Sequence, residues 1–176
     1  RQALVAQELA SAETAINKAI SLNYNDLYLR TYSQVYLVKL NSMINTGGTL
    51  TEEQKTELQN VFSQAVRSAE LAVEYNPSND QNFRLLGLVY ETAGALGVKD
   101  AYPKALIAYE NASKLNPLNP ALKLGMARTA LAEGRRSDAL AYADLALSLA
   151  PNNKAVVEAV NTIKAGAPLP VPEPEV

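Results

Sequence analysis

The sequence predicts an all-α fold, a solenoid of about eight antiparallel helices, and three observations predict it. First, one ending recurs in the 176 residues: Ala72-Val73-Glu74-Tyr75-Asn76-Pro77, Ala112-Ser113-Lys114-Leu115-Asn116-Pro117 and Ala146-Leu147-Ser148-Leu149-Ala150-Pro151. Pro117 and Pro151 stand 34 residues apart and Pro77 and Pro117 stand 40 apart, while a fourth copy, Ala19-Ile20-Ser21-Leu22-Asn23-Tyr24, puts Tyr in the proline's place 53 residues before Pro77. Second, small residues recur where two helices would approach closely. Third, no strand-like alternation of apolar and polar residues competes with the helical pattern.

The first helix is expected over 2–22, with Leu4, Leu9, Ala12, Ile16, Ala19 and Ile20 as its apolar residues. A second, over 26–45, carries Tyr28, Tyr32 and Tyr36 at every fourth position and stops at Thr46-Gly47-Gly48. Thr51-Glu52-Glu53-Gln54 is a capping box that opens a third helix over 52–75, with Glu52 and Glu53 facing the helix dipole. Proline cannot donate to the preceding turn, so Pro77, Pro117 and Pro151 close the third, fifth and seventh helices. The fourth and fifth are placed at 79–94 and 101–115, with the six residues Ala95 to Asp100 as an insert in the turn. Asn119-Pro120 pairs an N-cap with a first-turn proline and opens a sixth helix over 119–133. A seventh follows at 136–149 and an eighth at 152–164, and Gly166 ends the helical part. The segment Ala167-Pro168-Leu169-Pro170-Val171-Pro172-Glu173-Pro174-Glu175-Val176 must be extended or polyproline II. The division expected is a helical repeat domain over 1–166 and a Pro-rich tail over 167–176.

The period and the residues at it resemble the tetratricopeptide repeat (TPR) family. The middle unit, Phe83-Arg84-Leu85-Leu86-Gly87-Leu88-Val89-Tyr90, is close to the family's Trp-x-x-Leu-Gly-x-x-Tyr, and it continues with Gly94, Tyr102, Ala105, Tyr109, Ala112 and Pro117. The third unit keeps Gly134, Ala139, Ala146 and Pro151 but has Lys123, Ala127 and Ala130 where the family prefers Trp, Gly and Tyr. The first keeps Ala65, Ala72 and Pro77, with Ser33 and Gln34 in place of Leu and Gly. The resemblance covers roughly residues 1–164 and implies a right-handed stack of helix pairs in which the first helix of each repeat lines a concave groove. Carried over by position, that groove includes Tyr28, Thr31, Val35, Val38, Arg84, Leu88, Glu91, Leu124, Arg128 and Leu131. Family members that grip a peptide carboxylate use Lys and Asn at key groove positions. Thr31, Val35, Arg84 and Leu88 stand there instead, so that function is not carried over. More loosely, the texture of Asn25-Asp26-Leu27-Tyr28-Leu29-Arg30 resembles the soluble repeat tails of bacterial O-antigen ligase/polymerase-like membrane proteins.

Composition narrows the chemistry. There is no Cys and no His, which removes Cys–His and Ser–His–Asp nucleophilic arrangements and nearly every zinc or copper site. No cofactor, no metal and no enzymatic activity are expected. The net charge of −2, without a basic stripe, argues against nucleic acid. No apolar run approaches the ~18 residues that a membrane span needs, so no membrane insertion is expected. Arg135-Arg136 and Lys99-Asp100 read as solvated turn charges, Asn111-Ala112-Ser113 as a chance glycosylation match inside a helix, and the tyrosine stripe as a packed face.

In repeat register the chain opens on a second helix and closes on a first one. The chain also begins with Arg1, as a fragment or processed product does. The two half repeats are complementary, so Leu4, Leu9, Ile16 and Ile20 are expected to meet Val156, Val157, Val160 and Ile163 of another molecule. That contact is head to tail and builds rings or filaments, with Pro168, Leu169, Pro170, Val171 and Pro172 lying in a neighbour's groove. The function expected is therefore a non-enzymatic, self-associating protein-interaction module. The alternatives are a monomeric adaptor with a peptide in its groove, or the soluble tail of a larger membrane glycan ligase. Localisation is open, with an extracellular or cell-surface setting preferred to a cytoplasmic one.

Overall fold

A computed structural model describes residues 2–44 and 51–167, with side chains from 7–43 and 51–167. Among the described residues there are eight helices and no strand: α1 (Gln2–Leu22), α2 (Asp26–Ile44), α3 (Glu52–Tyr75), α4 (Asp80–Ala95), α5 (Ala101–Leu115), α6 (Pro120–Ala132), α7 (Arg136–Leu149) and α8 (Lys154–Ala165). Helix boundaries fall within one or two residues of those the sequence predicts. The break at Thr46-Gly47-Gly48 and the Pro-rich tail from Pro168 lie outside the described residues. Contacts divide the chain into two compact units that meet between Pro77 and Ser78 in sequence.

In the first unit α2 packs on α1 and on α3. The buried residues of α3 (Val61, Ala65, Ser68, Ala69 and Ala72) recur every three or four positions, so one narrow face of small side chains turns inward and lets α2 come close. Ser33, which replaces the family's Leu, is fully buried, and its hydroxyl donates to the Ala65 carbonyl at 2.8 Å. The expected capping box is present: the Thr51 hydroxyl accepts from Gln54 N–H, and the Gln54 side chain accepts from Thr51 N–H. Two tyrosines of the stripe pack on each other. Tyr32 and Tyr36 meet edge to face at 4.8 Å, and the Tyr36 hydroxyl donates to Glu13 of α1. Burial, then the Glu13 hydrogen bond, hold the Tyr36 hydroxyl well above the usual tyrosine range.

In the second unit α4 pairs with α5 and α6 with α7, α5 touches α6, and α8 rests on α6 and α7. The first helices α4, α6 and α8 are thus successive neighbours. Asn79, Asn119 and Asn153 each accept a first-turn N–H and start these three helices. Gly134 adopts φ 82°, which lets its N–H reach the Leu131 carbonyl and the next N–H, that of Arg135, reach the Ala130 carbonyl. Two alanine-rich faces, Ala105, Ala108 and Ala112 on α5 and Ala139, Ala143 and Ala146 on α7, form the close crossings.

A polar lock recurs once in each unit. Asn76 at the end of α3 donates to Asp26 at the start of α2, and Asn116 at the end of α5 donates to Asp80 at the start of α4, both at 3.1 Å. The third pair has Ala150 and Pro120 instead. Asn116→Ala is expected to cost about 0.5–1.5 kcal/mol. Urea titration with an unchanged slope checks it, and a midpoint equal to the parent's would show that the lock contributes nothing.

Candidate functional site

In the second unit the first helices α4 and α6 touch, and a buried ionic cluster joins them. Arg128 of α6 donates from Nε to Glu91 Oε1 at 2.8 Å and from Nη2 to Oε2 at 3.0 Å. The Tyr109 hydroxyl, from α5, donates to the same Oε2 at 2.7 Å. The Glu91 side chain is 3% exposed and that of Arg128 11%. No buried side-chain polar atom among the described residues lacks a partner. A carboxylate this far from water needs its charge met and its lone pairs filled, and a planar guanidinium fork plus a phenol do both.

The Tyr109 ring is held by two glycines. A Cβ added at Gly87 of α4 would come to 2.9 Å from the ring, and one at Gly125 of α6 to 2.8 Å. The aromatic ring therefore fills space that two helices leave by lacking side chains, and the hydroxyl emerges at Glu91. Burial above all, then the negative charge of Glu91, hold this hydroxyl well above the ordinary tyrosine value of 10.0. Tyr102 is raised for the same two reasons in the same order. For Arg128 burial alone would lower the value, but Glu91 beside it more than offsets that, and the net shift is upward.

The tyrosine shift has a definite sign. Below pH 10 both the folded and the unfolded chain keep Tyr109 protonated, and its contribution to stability is complete. Above the ordinary value of 10.0 the unfolded chain ionises while the folded one does not, so stability falls as pH rises further. Tyr109→Phe should flatten part of that alkaline loss in thermal melts between about pH 9 and 11, near the unperturbed tyrosine value. A melt whose pH slope is the same in both proteins would refute the assignment.

The groove positions divide by burial. Val35 in the first unit, and Leu88 and Glu91 in the second, are buried. Leu124 and Leu131 are half-buried against the α6–α8 core. Tyr28, Thr31, Val38 and Arg84 are half-buried, and Arg128 turns into the Glu91 pair. Thr31 spends its hydroxyl on the Leu27 carbonyl at 2.9 Å. Arg84 makes no hydrogen bond or ion pair among the described residues.

The terminal helices differ from expectation. Val156, Val160 and Ile163 lie in this chain's own core with Ala127, Ala130, Ala139, Ala143 and Ala146, and they are not free for a second molecule. The apolar positions of α8 form one stripe that fits the crevice between α6 and α7. The residues left exposed are Lys154, Ala155, Glu158, Asn161, Lys164 and Ala165, with Val157 half-buried. Ile16 of α1 is buried, Leu9 and Ile20 are half-buried, and the side chain of Leu4 lies outside the described residues, as do Pro168, Leu169, Pro170, Val171 and Pro172. Arg136 is not merely solvated: it donates to the Lys164 carbonyl at 2.8 Å and so caps α8. Asn111-Ala112-Ser113 lies within α5 with Ala112 and Ser113 buried. The sequence placed Glu91 and Arg128 on one surface but not in contact. They are 37 residues apart, three short of the 40 that separate Pro77 from Pro117, and opposite charges at that separation were the signal for an inter-repeat pair.

No family model and no curated protein matches the chain, and the looser likeness to ligase tails gains no support. Among solved structures the chain is similar to YrrB, described as a TPR protein with an unusual peptide-binding site. The identity is 18% and the TM-score 0.50, over 89% of this chain and 85% of that one. At that identity the likeness establishes the fold, and the fold is that of a TPR-type helical repeat protein.

Proposed function

We propose that the chain is a non-enzymatic protein-interaction module that takes an extended segment of a partner on the α4–α6 face of its second unit. The observation that carries this reading is the buried link between those two helices. The Glu91–Arg128 pair joins two neighbouring first helices, and these helices also carry half-buried Arg84 on α4 and half-buried Leu124 and Leu131 on α6. A cation without a partner beside apolar side chains is a surface for a peptide, offering burial and one charge contact. Among the described residues no three His, Cys, Asp or Glu side chains gather as a metal site would need.

Head-to-tail association is the weaker reading, because Val156, Val160 and Ile163, three of the four α8 residues it relies on, are spent on this chain's own core. The outer face of α8 is mostly polar, as suits a solenoid end that meets water.

The test is selection of peptides from a random library on the wild-type chain, followed by titration against Arg84→Ala and Leu131→Asp. At least a tenfold loss of affinity on each, about 1.4 kcal/mol, is expected. Selected peptides that bind both variants as tightly as the parent would move the site elsewhere. Sedimentation of the unliganded chain should give a molar mass that does not rise with concentration, and steady growth would restore the filament.

A further inference from the structure

A second surface, on the first unit, does not depend on the reading above. The end of α1, the start of α2 and the end of α3 leave four large apolar side chains in water: Leu22 is 77% exposed, Tyr24 46%, Leu27 52% and Tyr75 51%. The elements that carry them are tied together, since Asn76 next to Tyr75 donates to Asp26 next to Leu27. Tyr24 and Tyr75 meet edge to face with ring centres 5.6 Å apart. Neither hydroxyl has a hydrogen-bond partner among the described residues. The position of Tyr75 in its repeat is held elsewhere by Leu115 and Leu149, and that of Tyr24 by proline, so the aromatic pair belongs to this edge alone among the described repeats. Lys18 lies one helical turn before Leu22 on the same exposed face of α1 and makes no ion pair among the described residues.

We infer that this edge binds an extended, proline-rich, acidic segment. Two tyrosine rings set at an angle form a step into which the flat face of a pyrrolidine ring packs. A polyproline II segment arrives already ordered, so it gives up little conformational freedom on docking. Lys18, one turn before Leu22 on exposed α1 surface, adds a charge for a carboxylate. The chain itself carries a segment of this composition, with Pro168, Pro170, Pro172 and Pro174 alternating with Leu169, Val171, Glu173 and Glu175. A nine-residue polyproline II segment runs about 28 Å, longer than one helical turn and a pair of rings.

The probe is a fluorescently labelled peptide with the sequence of residues 167–176. It is titrated with the full chain in which Pro168, Pro170, Pro172 and Pro174 are replaced by alanine, so that the chain's own segment does not compete. Saturable anisotropy is expected. Tyr24→Ser combined with Tyr75→Ser should weaken binding at least tenfold. Lys18→Glu should weaken it several-fold and remove most of its salt dependence. A peptide whose four prolines are alanines should bind at least tenfold more weakly, and Arg84→Ala, on α4, should have no effect. Circular dichroism checks that the tyrosine variant stays helical, and Leu27→Ser reads the same surface should it not. The proposal is overturned by an absence of saturation, by equal binding of the alanine peptide, or by undiminished binding to the Tyr24/Tyr75 and Leu27 variants.

Discussion

Replacing Arg128 by methionine is expected to destabilise the protein by about 3–5 kcal/mol, the range found when one partner of a buried ion pair is removed. The methionine keeps much of the stem's volume, so the loss measures charge and not packing. Glu91 would be left in the interior with only the Tyr109 hydroxyl, two of its three hydrogen bonds gone. The second substitution should repair much of this: Glu91→Leu in the Arg128→Met background removes the stranded carboxylate, and apolar replacements of buried pairs are often neutral. Urea denaturation of the single and double variants gives the coupling directly. A single-variant loss under about 1 kcal/mol, the scale of surface ion pairs, would mean that water reaches Glu91.

The second large effect is steric. Gly87→Leu and Gly125→Leu each drive a side chain into the Tyr109 ring, since even a Cβ would stand 2.9 or 2.8 Å from it. The ring cannot retreat, because its hydroxyl is bound to Glu91 and the residue is buried. Overpacking of this kind costs about 1–3 kcal/mol and sometimes more. Because Gly125 and Gly87 press on the same ring, the double variant should be non-additive, the first displacement having already moved what the second would strike. Melting curves of the four proteins decide it, and strict additivity would show that the two glycines do not share a neighbour. Gly125→Leu tests more than Gly87→Leu does, because repeat spacing alone marks Gly87 for a close crossing and says nothing of Gly125.

That contrast shows how much the sequence held. Helix order was legible because its signals are local. Thr51 with Gln54, Asn119 with Pro120, and the recurring Asn-Pro endings each act within a few residues, and all of them sit at helix ends in the structure. The candidate site was legible only as a surface. Position within the repeat put Glu91 and Arg128 on first helices, but whether a side chain faces solvent or its neighbour depends on how far one repeat rotates against the next. The same ambiguity misplaced Val156, Val160 and Ile163. Five apolar residues within the eight positions from 156 to 163 suggested two sticky faces, yet Val156, Val160 and Ile163 follow i, i+4, i+7 spacing and make a single stripe. Ala159 and Val157 flank that stripe and are half-buried.

The Glu91–Arg128 pair also bears on how the second unit comes apart. A row of stacked repeats behaves as a one-dimensional chain, in which each repeat has its own stability and each junction adds a coupling term. The pair spans a junction, joining the first helix of one repeat to the first helix of the next, and Tyr109 adds the second helix of the earlier repeat to the same knot. Neither repeat can open without stranding a charge that the other was neutralising. The α4–α7 segment should therefore exchange its amide hydrogens as one cooperative block. The junction to α8 is held by the apolar stripe, the exposed Arg136 cap and an exposed Lys164–Asp144 ion pair, with no buried ion pair across it among the described residues, and should be the first place where the unit frays.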